Sequence, residues 1–144
     1  MRSKIIRSLV LAAAAVAAIL VPAAPAQAAW GTTYPVSIEI KVGAQNLGKV
    51  TGTIQCDTGA TAFRYDLTIC RQSSYMFPYL VIDRNYYPGT YVTTVNPYGY
   101  PCASAQGEVW TGHINNLYFE LFGSTFEGQS HVVYSEDHTY QNPY

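Results

Sequence analysis

Three histidines are the side chains of this sequence best suited to metal binding or proton transfer: His113, His131 and His138. A zinc site needs histidines or cysteines at close spacing, as in His-Glu-x-x-His or Cys-x-x-Cys, and the sequence contains neither pattern. His113 and His131 fall in segments that alternate like β-strands, and His138 lies near the C-terminus. We therefore expect no metal site and no cofactor.

Carboxylates could support glycoside hydrolysis, which uses two acidic residues across a cleft. Glu108, Glu120 and Glu127 are available, but their spacing does not place two carboxyl groups across a cleft, and Glu120 is expected to face solvent. The nucleophile motif Gly-x-Ser-x-Gly and the phosphate-binding motif Gly-x-x-x-x-Gly-Lys-Ser/Thr are both absent. A dispersed Ser–His–Asp triad would need a cleft and an oxyanion hole, for which a small domain of short strands has little room. We predict that the protein is not an enzyme.

Tyrosine is the residue type in excess, with thirteen copies in the chain. Two pairs fall in segments rich in proline, glycine and asparagine: Tyr86 and Tyr87 before Pro88-Gly89, and Tyr98 and Tyr100 within 96–101. An exposed tyrosine offers a large contact area at small entropic cost together with a hydroxyl, so recognition surfaces are enriched in it. We predict that Tyr86, Tyr87, Tyr98 and Tyr100 bind a protein partner or a sugar.

Other aromatic residues are expected to have structural roles. The tyrosines of predicted strands fit a half-buried pleated surface because the ring packs while the hydroxyl stays wet; they are Tyr65, Tyr75, Tyr91 and Tyr118. Trp110 is expected in the core, and Trp30 in a flexible arm or against the sheet. Sugar-binding surfaces of small β-domains more often include tryptophan, so we favour a protein partner over a sugar.

Residues 1–28 predict a secretory signal peptide. Arg2, Lys4 and Arg7 form its positive region, and the apolar run that follows is rich in alanine and too short for a membrane span. The segment Ala26-Gln27-Ala28 supplies the small residues of a signal peptidase site. We expect a secreted, bacterial protein made of residues 29–144, with no membrane segment after cleavage.

The charge balance after residue 28 excludes one class of partner. Nine acidic residues but only five basic ones lie there, so the formal net charge of this part is −4. Five scattered cations cannot form the basic stripe that follows a phosphate backbone, and we expect no nucleic-acid binding. The length suits one domain with a real core.

Alternation of apolar and polar residues predicts an all-β fold. We expect about seven or eight short strands, over residues 34–42, 49–56, 61–70, 75–83, 90–95, 108–114, 117–122 and 131–135. A single antiparallel β-sandwich is the leading architecture. An immunoglobulin-like topology is one option within it, and a small β-barrel is the alternative.

Local signals specify some of the connections. Residues 49–56 and 61–70 predict a hairpin, with its turn at Asp57-Thr58-Gly59-Ala60. The segment 75–83 is almost wholly apolar, which suits a strand buried on both faces, but Pro78 argues for a sheet edge or a bulge. Asn115-Asn116 predicts a tight turn between the strands that flank it.

The three cysteines permit one disulfide in an oxidising compartment. If the predicted hairpin forms, Cys70 lies roughly 30 Å from Cys56 at about 3.4 Å per residue, too far for a bridge. Cys70 and Cys102 both lie where a strand meets a loop, and we favour that pair. Cys56 is then a small buried core residue, or the site of an intermolecular disulfide.

These expectations combine into one leading function. We expect a small, secreted, non-catalytic protein-interaction module, an adaptor or structural subunit of an extracellular assembly such as a toxin or adhesin complex. One alternative is an inhibitor of a secreted protease or glycosidase that uses the stiff loop 96–101. The other is a carbohydrate-binding module.

Overall fold

The computed structural model describes residues 29–85 and 90–144. These ranges contain eight β-strands and no helix, and therefore no helix that could cross a membrane. The strands are β1 (Trp30–Val42), β2 (Gln45–Asp57), β3 (Ala62–Arg71), β4 (Tyr79–Arg84), β5 (Tyr91–Val95), β6 (Cys102–Trp110), β7 (Asn116–Glu127) and β8 (Ser130–Gln141). The predicted signal peptide over residues 1–28 and the predicted binding residues Tyr86 and Tyr87 lie outside the described residues.

The strands form two antiparallel sheets of four strands each, so the predicted β-sandwich is confirmed. Sheet A has the order β1-β2-β3-β6, and sheet B has the order β5-β4-β7-β8. The immunoglobulin-like option is not confirmed, because β3 continues the β1-β2 meander, whereas immunoglobulin domains place their third strand in the opposite sheet.

The core lies between the inward faces of the two sheets, where alternate side chains are buried. In β1 these are Val36, Ile38 and Ile40. In β7 they are Leu117, Phe119 and Leu121, again two residues apart. Burying each such side chain stabilises the fold by about 1.5–3 kcal/mol relative to exposure. The period-2 pattern in the sequence therefore predicted the inward face of these strands correctly.

The predicted hairpin of β2 and β3 is present, with Cys56 opposite Phe63. Its turn is held by the buried Asp57, whose Oδ1 accepts hydrogen bonds from the N–H groups of Thr61 and Ala62, each at 2.7 Å. Burial opposes ionisation of this carboxyl, but these bonds, with others from the Thr61 hydroxyl and the Gly59 N–H, outweigh it and lower the pKa of Asp57.

The tight turn expected at Asn115-Asn116 is wrong. The strand before it is Cys102–Trp110 rather than 108–114, and it lies in sheet A, while the strand after it, β7, lies in sheet B. Residues 111–115 carry the chain across the end of the sandwich, and Ile114 within them is fully buried. His113 accordingly lies in a connection and not in a strand.

The lack of an N–H in Pro78 predicted a sheet edge or a bulge, but the structure shows neither there. β4 begins at Tyr79, one residue later, and lies inside sheet B between β5 and β7. The ring of Pro78 instead packs on Gly48, where an added Cβ would lie 2.5 Å from the proline Cγ. β4 is also buried on one face only, through Leu80 and Ile82.

The structure joins Cys70 to Cys102, the pair favoured from the sequence. The two residues lie directly opposite each other on β3 and β6, with their Cα atoms 4.0 Å apart. Cys56 remains a free thiol and is buried in the core. Desolvation by burial, with a smaller contribution from the negative charge of Asp57, raises the pKa of the Cys56 thiol to about 11.

Replacement of Asp57 by alanine should lower the free energy of unfolding by about 2–3 kcal/mol at pH 7, because buried N–H groups lose a charged acceptor. Because the folded-state pKa of Asp57 is lowered, its contribution is present above the ordinary pKa of 3.8 and is lost as pH falls through the folded value. Urea unfolding at pH 7 and in acid measures both effects. The exposed Asp137→Ala variant is the control and should change stability by less than about 0.5 kcal/mol. An equal loss in both variants would contradict this role of Asp57.

Cys56 should react with Ellman's reagent only when the protein unfolds. A pKa of about 11, against the ordinary 9.0, leaves about a hundredfold less thiolate at pH 8, and burial blocks access as well. One equivalent of thiol should be titrated in 6 M urea and almost none in buffer, and Cys56→Ser should show none in either. Rapid reaction of the native protein would disprove the buried position of the thiol.

Candidate functional site at the loop end of the sandwich

Four connections gather at one end of the sandwich, which we call the loop end. They are the turns and loops at residues 43–44, 72–78, 96–101 and 128–129. Strand pairing places them together, since Cys70 lies opposite Cys102 and Leu80 lies opposite Val95. The Tyr75 N–H also donates to the Ser124 carbonyl at 2.7 Å, which joins the second of these connections to β7.

The loop 96–101 carries two of the predicted binding residues, and both are exposed: Tyr98 by 86% and Tyr100 by 80%. The loop begins after the buried Val95 and ends at Cys102, where the disulfide ties it to β3. The Arg71 N–H donates to the carbonyl of Pro101 at 2.8 Å, next to that disulfide. Because both ends of the loop are fixed, a partner would find the rings partly ordered in advance, which lowers the entropic cost of binding.

A second aromatic group lies at the loop end and was not predicted from the sequence. Tyr75, Phe126 and His131 form a cluster with ring centroids 4.8–5.6 Å apart, and the exposed Met76 adjoins Tyr75 in sequence. The sequence predicts Tyr75 in a strand, but the residue lies in the loop before β4. The pair Ser73-Ser74 together with Pro78 is the local signal that could have indicated a loop there.

A buried pair of serines holds Tyr75 and Met76 in place. The Oγ of Ser74 accepts a hydrogen bond from the Ser124 N–H at 2.9 Å and donates to the Met76 carbonyl at 2.6 Å. The Ser124 hydroxyl in turn lies 3.3 Å from the Met76 N–H. Both serine side chains are almost fully buried, so these bonds are shielded from water and define the path of the loop.

The loop end is nearly free of charge. Its four connections and the terminal residues of the adjoining strands contain one basic residue, Arg71, and one acidic residue, Glu127. The Arg71 Nε donates to the Ser74 carbonyl at 2.5 Å, and a Glu127 oxygen accepts a hydrogen bond from the Tyr134 hydroxyl. Lys41, one residue further into β1, is paired with Glu39 at 3.2 Å. Contact with this surface would therefore depend on apolar and aromatic packing more than on ion pairing.

The structure does not bring the three histidines together. His131 lies at the loop end, His113 lies in the connection at the opposite end, and His138 lies along β8. Among residues 29–85 and 90–144, no group of three or more His, Cys, Asp or Glu residues could hold a metal ion.

The expectation that Trp110 belongs to the core is wrong, because 63% of this residue is exposed. Trp110 ends the edge strand β6, in which even-numbered residues face outward, so the same alternation that buries other aromatics turns it to solvent. Trp30 lies half-buried in β1, with the Arg64 guanidinium carbon 4.6 Å from its ring centroid. Trp30 is thus part of the sheet rather than a free arm.

Comparisons of the chain with models of protein families, with curated proteins and with solved structures find no match. The geometry of the exposed surfaces is therefore the ground on which a function can be proposed.

Replacement of Ser74 by alanine should lower the free energy of unfolding by about 1–3 kcal/mol, because the buried Ser124 N–H and Met76 carbonyl lose their partner. The neighbouring Ser73→Ala variant is a matched control, since the Ser73 hydroxyl bonds the Asn46 carbonyl at the exposed surface. Urea unfolding of both variants measures the difference, and Ser73→Ala should stay within about 0.5 kcal/mol of the original protein. Equal stabilities would show that the serine pair does not hold the loop.

Proposed function

We propose that this protein is a small secreted, non-catalytic interaction module whose loop end binds a protein partner. One observation carries the proposal: large apolar side chains concentrate at that end and are exposed. They are Tyr75, Met76, Tyr98, Tyr100 and Phe126, with exposures from 48% to 86%. Exposed apolar side chains gathered at one end of a domain are typical of interaction sites, and tyrosine, phenylalanine and methionine are enriched in the buried centre of interfaces.

The composition of the loop end favours a protein over a sugar as its partner. A sugar needs several hydrogen-bonding groups around the aromatic platform, whereas the Tyr75–Phe126–His131 cluster is bordered by Met76 and has one nearby carboxylate, Glu127, already engaged. A protein partner can instead fill such a surface with apolar side chains.

Two features support secretion. A disulfide persists in oxidising compartments and is rare in the cytosol. Residues 1–28 have the sequence pattern of a signal peptide. An adaptor that acts outside the cell would meet partners in the same compartment.

Removal of the loop tyrosines should weaken partner binding. The disulfide-bonded protein is used to recover partners from the medium of the cells that produce it, and a purified partner is then titrated by calorimetry. Tyr98→Ala and Tyr100→Ala should each reduce the affinity about five- to thirtyfold, the range expected for aromatic residues central to an interface. The affinity should change little with salt, because the loop end has almost no net charge.

Tyr91→Ala is the matched control for this experiment. Tyr91 is 61% exposed, yet it lies at the start of β5, away from the loop end, so its replacement should leave the affinity within about twofold. A partner that binds Tyr98→Ala, Tyr100→Ala and the original protein equally well would contradict the proposal. The proposal would also be contradicted if the disulfide-bonded protein recovered no partner from the medium.

A further inference from the structure

A second surface lies on the outer face of sheet A. It is nearer to the end of the sandwich opposite the loop end. Its two central cross-strand rows are made of polar side chains. One row is Gln55, Arg64 and Glu108, and the other is Thr53, Asp66 and Gln106. They share one face because each row joins directly paired positions on β2, β3 and β6, and these positions alternate with buried or half-buried ones.

These side chains line an open groove of about 560 Å³. Its volume falls within the range of small-molecule binding sites, about 300–1,000 Å³. No charged or polar group in it is deeply buried: Arg64, Asp66, Gln106 and Glu108 are all exposed. A ligand in this groove would lie along an open face rather than inside a closed cavity. An open face of this kind suits an extended ligand that continues beyond the groove at both ends.

Hydrogen bonds among the lining side chains fix their orientation. The Arg64 Nε donates to the Gln55 side-chain carbonyl at 2.7 Å, and the Gln55 amide donates to the Gly31 carbonyl. The Gln106 amide donates to Asp66 Oδ2 at 2.9 Å. These bonds use only the Nε of Arg64 and one oxygen of Asp66, and both residues are exposed, so their remaining polar atoms can bind hydroxyl groups.

Two tryptophans lie next to the groove rather than in its lining, Trp30 at the start of β1 and Trp110 at the end of β6. The Trp30 ring on β1 lies against the Arg64 guanidinium, and the exposed Trp110 on β6 donates its indole N–H to Glu108 Oε1 at 2.8 Å. The two strands are separated by three strand spacings of about 4.8 Å, or about 14 Å in all. A short oligosaccharide spans such a distance, and the C–H face of a sugar ring packs on the electron-rich face of an aromatic ring.

The charges in the groove select among ligands. Arg64 contributes one positive charge, and Asp66 and Glu108 contribute two negative ones, so the groove has a small negative excess. Polyanions such as nucleic acids or uronic acid polymers would be repelled, while neutral sugars would find donors and acceptors side by side. We propose that this groove binds a neutral oligosaccharide segment of a polysaccharide, and that the protein thereby joins a polysaccharide to the partner bound at its loop end.

The glycan site is tested with the disulfide-bonded protein against insoluble cellulose, chitin and xylan, and against their soluble hexamers by calorimetry. The protein should be retained by at least one of these neutral polysaccharides and not by polygalacturonate. Binding should change little between low and high salt, because no ion pair to the ligand forms. If the protein bound none of the neutral polymers, or was retained by polygalacturonate alone, the proposal would be overturned.

Variants locate the site within the groove. Trp110→Ala should weaken binding at least tenfold, and Trp110→Phe should recover part of the loss, because a ring remains for packing. Asp66→Asn should weaken binding about fivefold while preserving the size of the side chain. Tyr91→Ala, an exposed aromatic outside the groove, should bind like the original protein, and equal binding by Trp110→Ala and the original protein would refute the site.

The glycan experiment is independent of the loop-end proposal. Trp110 and Asp66 lie on exposed outer positions of sheet A, so their replacement should leave the urea unfolding midpoint and the capture of a protein partner unchanged. If the Trp110 and Asp66 variants lost glycan binding but still captured the protein partner, the groove would be assigned as the glycan site. If Tyr98→Ala lost the protein partner but still bound the glycan, the loop end would be assigned as the protein site.

Discussion

The shared core of two alternating sheets is the constraint on which the rest of this structure depends. Each strand has one apolar face, and neither sheet can bury that face except against the other. A slip of one residue in β3 would move Arg64 and Asp66 into the core and bring Phe63 and Leu67 to the surface, so the register of the sheet is strongly specified. The composition of both outer faces follows from the same alternation, including the polar groove of sheet A.

The ends of the sandwich are governed by how the chain passes between the sheets. Segments 72–78 and 96–101 both cross at the loop end, and each is held by contacts that are distant in sequence. The first depends on the buried hydroxyls of Ser74 and Ser124, and the second on the Cys70–Cys102 bridge. These contacts allow exposed aromatic rings to occupy defined positions at the surface, where an unsupported loop would leave them without order.

The two proposed surfaces differ in chemistry, and this difference gives the protein its proposed role as an adaptor. The loop end is apolar, nearly uncharged and rich in tyrosine. The groove of sheet A is polar, with paired amides and carboxylates next to two tryptophans. Because the groove lies on an outer sheet face and the aromatics at an end of the sandwich, one molecule could hold a polysaccharide and a protein together.

Much of the fold followed from the sequence by itself. Period-2 alternation determined the all-β class and the β2–β3 hairpin, and the positions of Cys70 and Cys102 at strand ends indicated their pairing. The exposed Tyr98 and Tyr100 lie in a loop that proline and glycine marked in advance. The alternation, the hairpin turn and the loop could be predicted because each depends on the order of nearby residues, and the disulfide followed because few pairings of three cysteines were geometrically possible.

Only the tertiary structure decided which strands share a sheet and which aromatics are covered. Asn115-Asn116 has the composition of a hairpin turn, yet the chain there crosses between sheets, because β6 pairs with β3 and β7 pairs with β4. Trp110 is exposed because it lies on the outward face of the edge strand β6, and Tyr75 meets Phe126 and His131 because distant serines hydrogen-bond. Alternation is a local property that a sequence displays directly, whereas strand partners depend on contacts between residues tens of positions apart, and these decide the neighbours of each exposed ring.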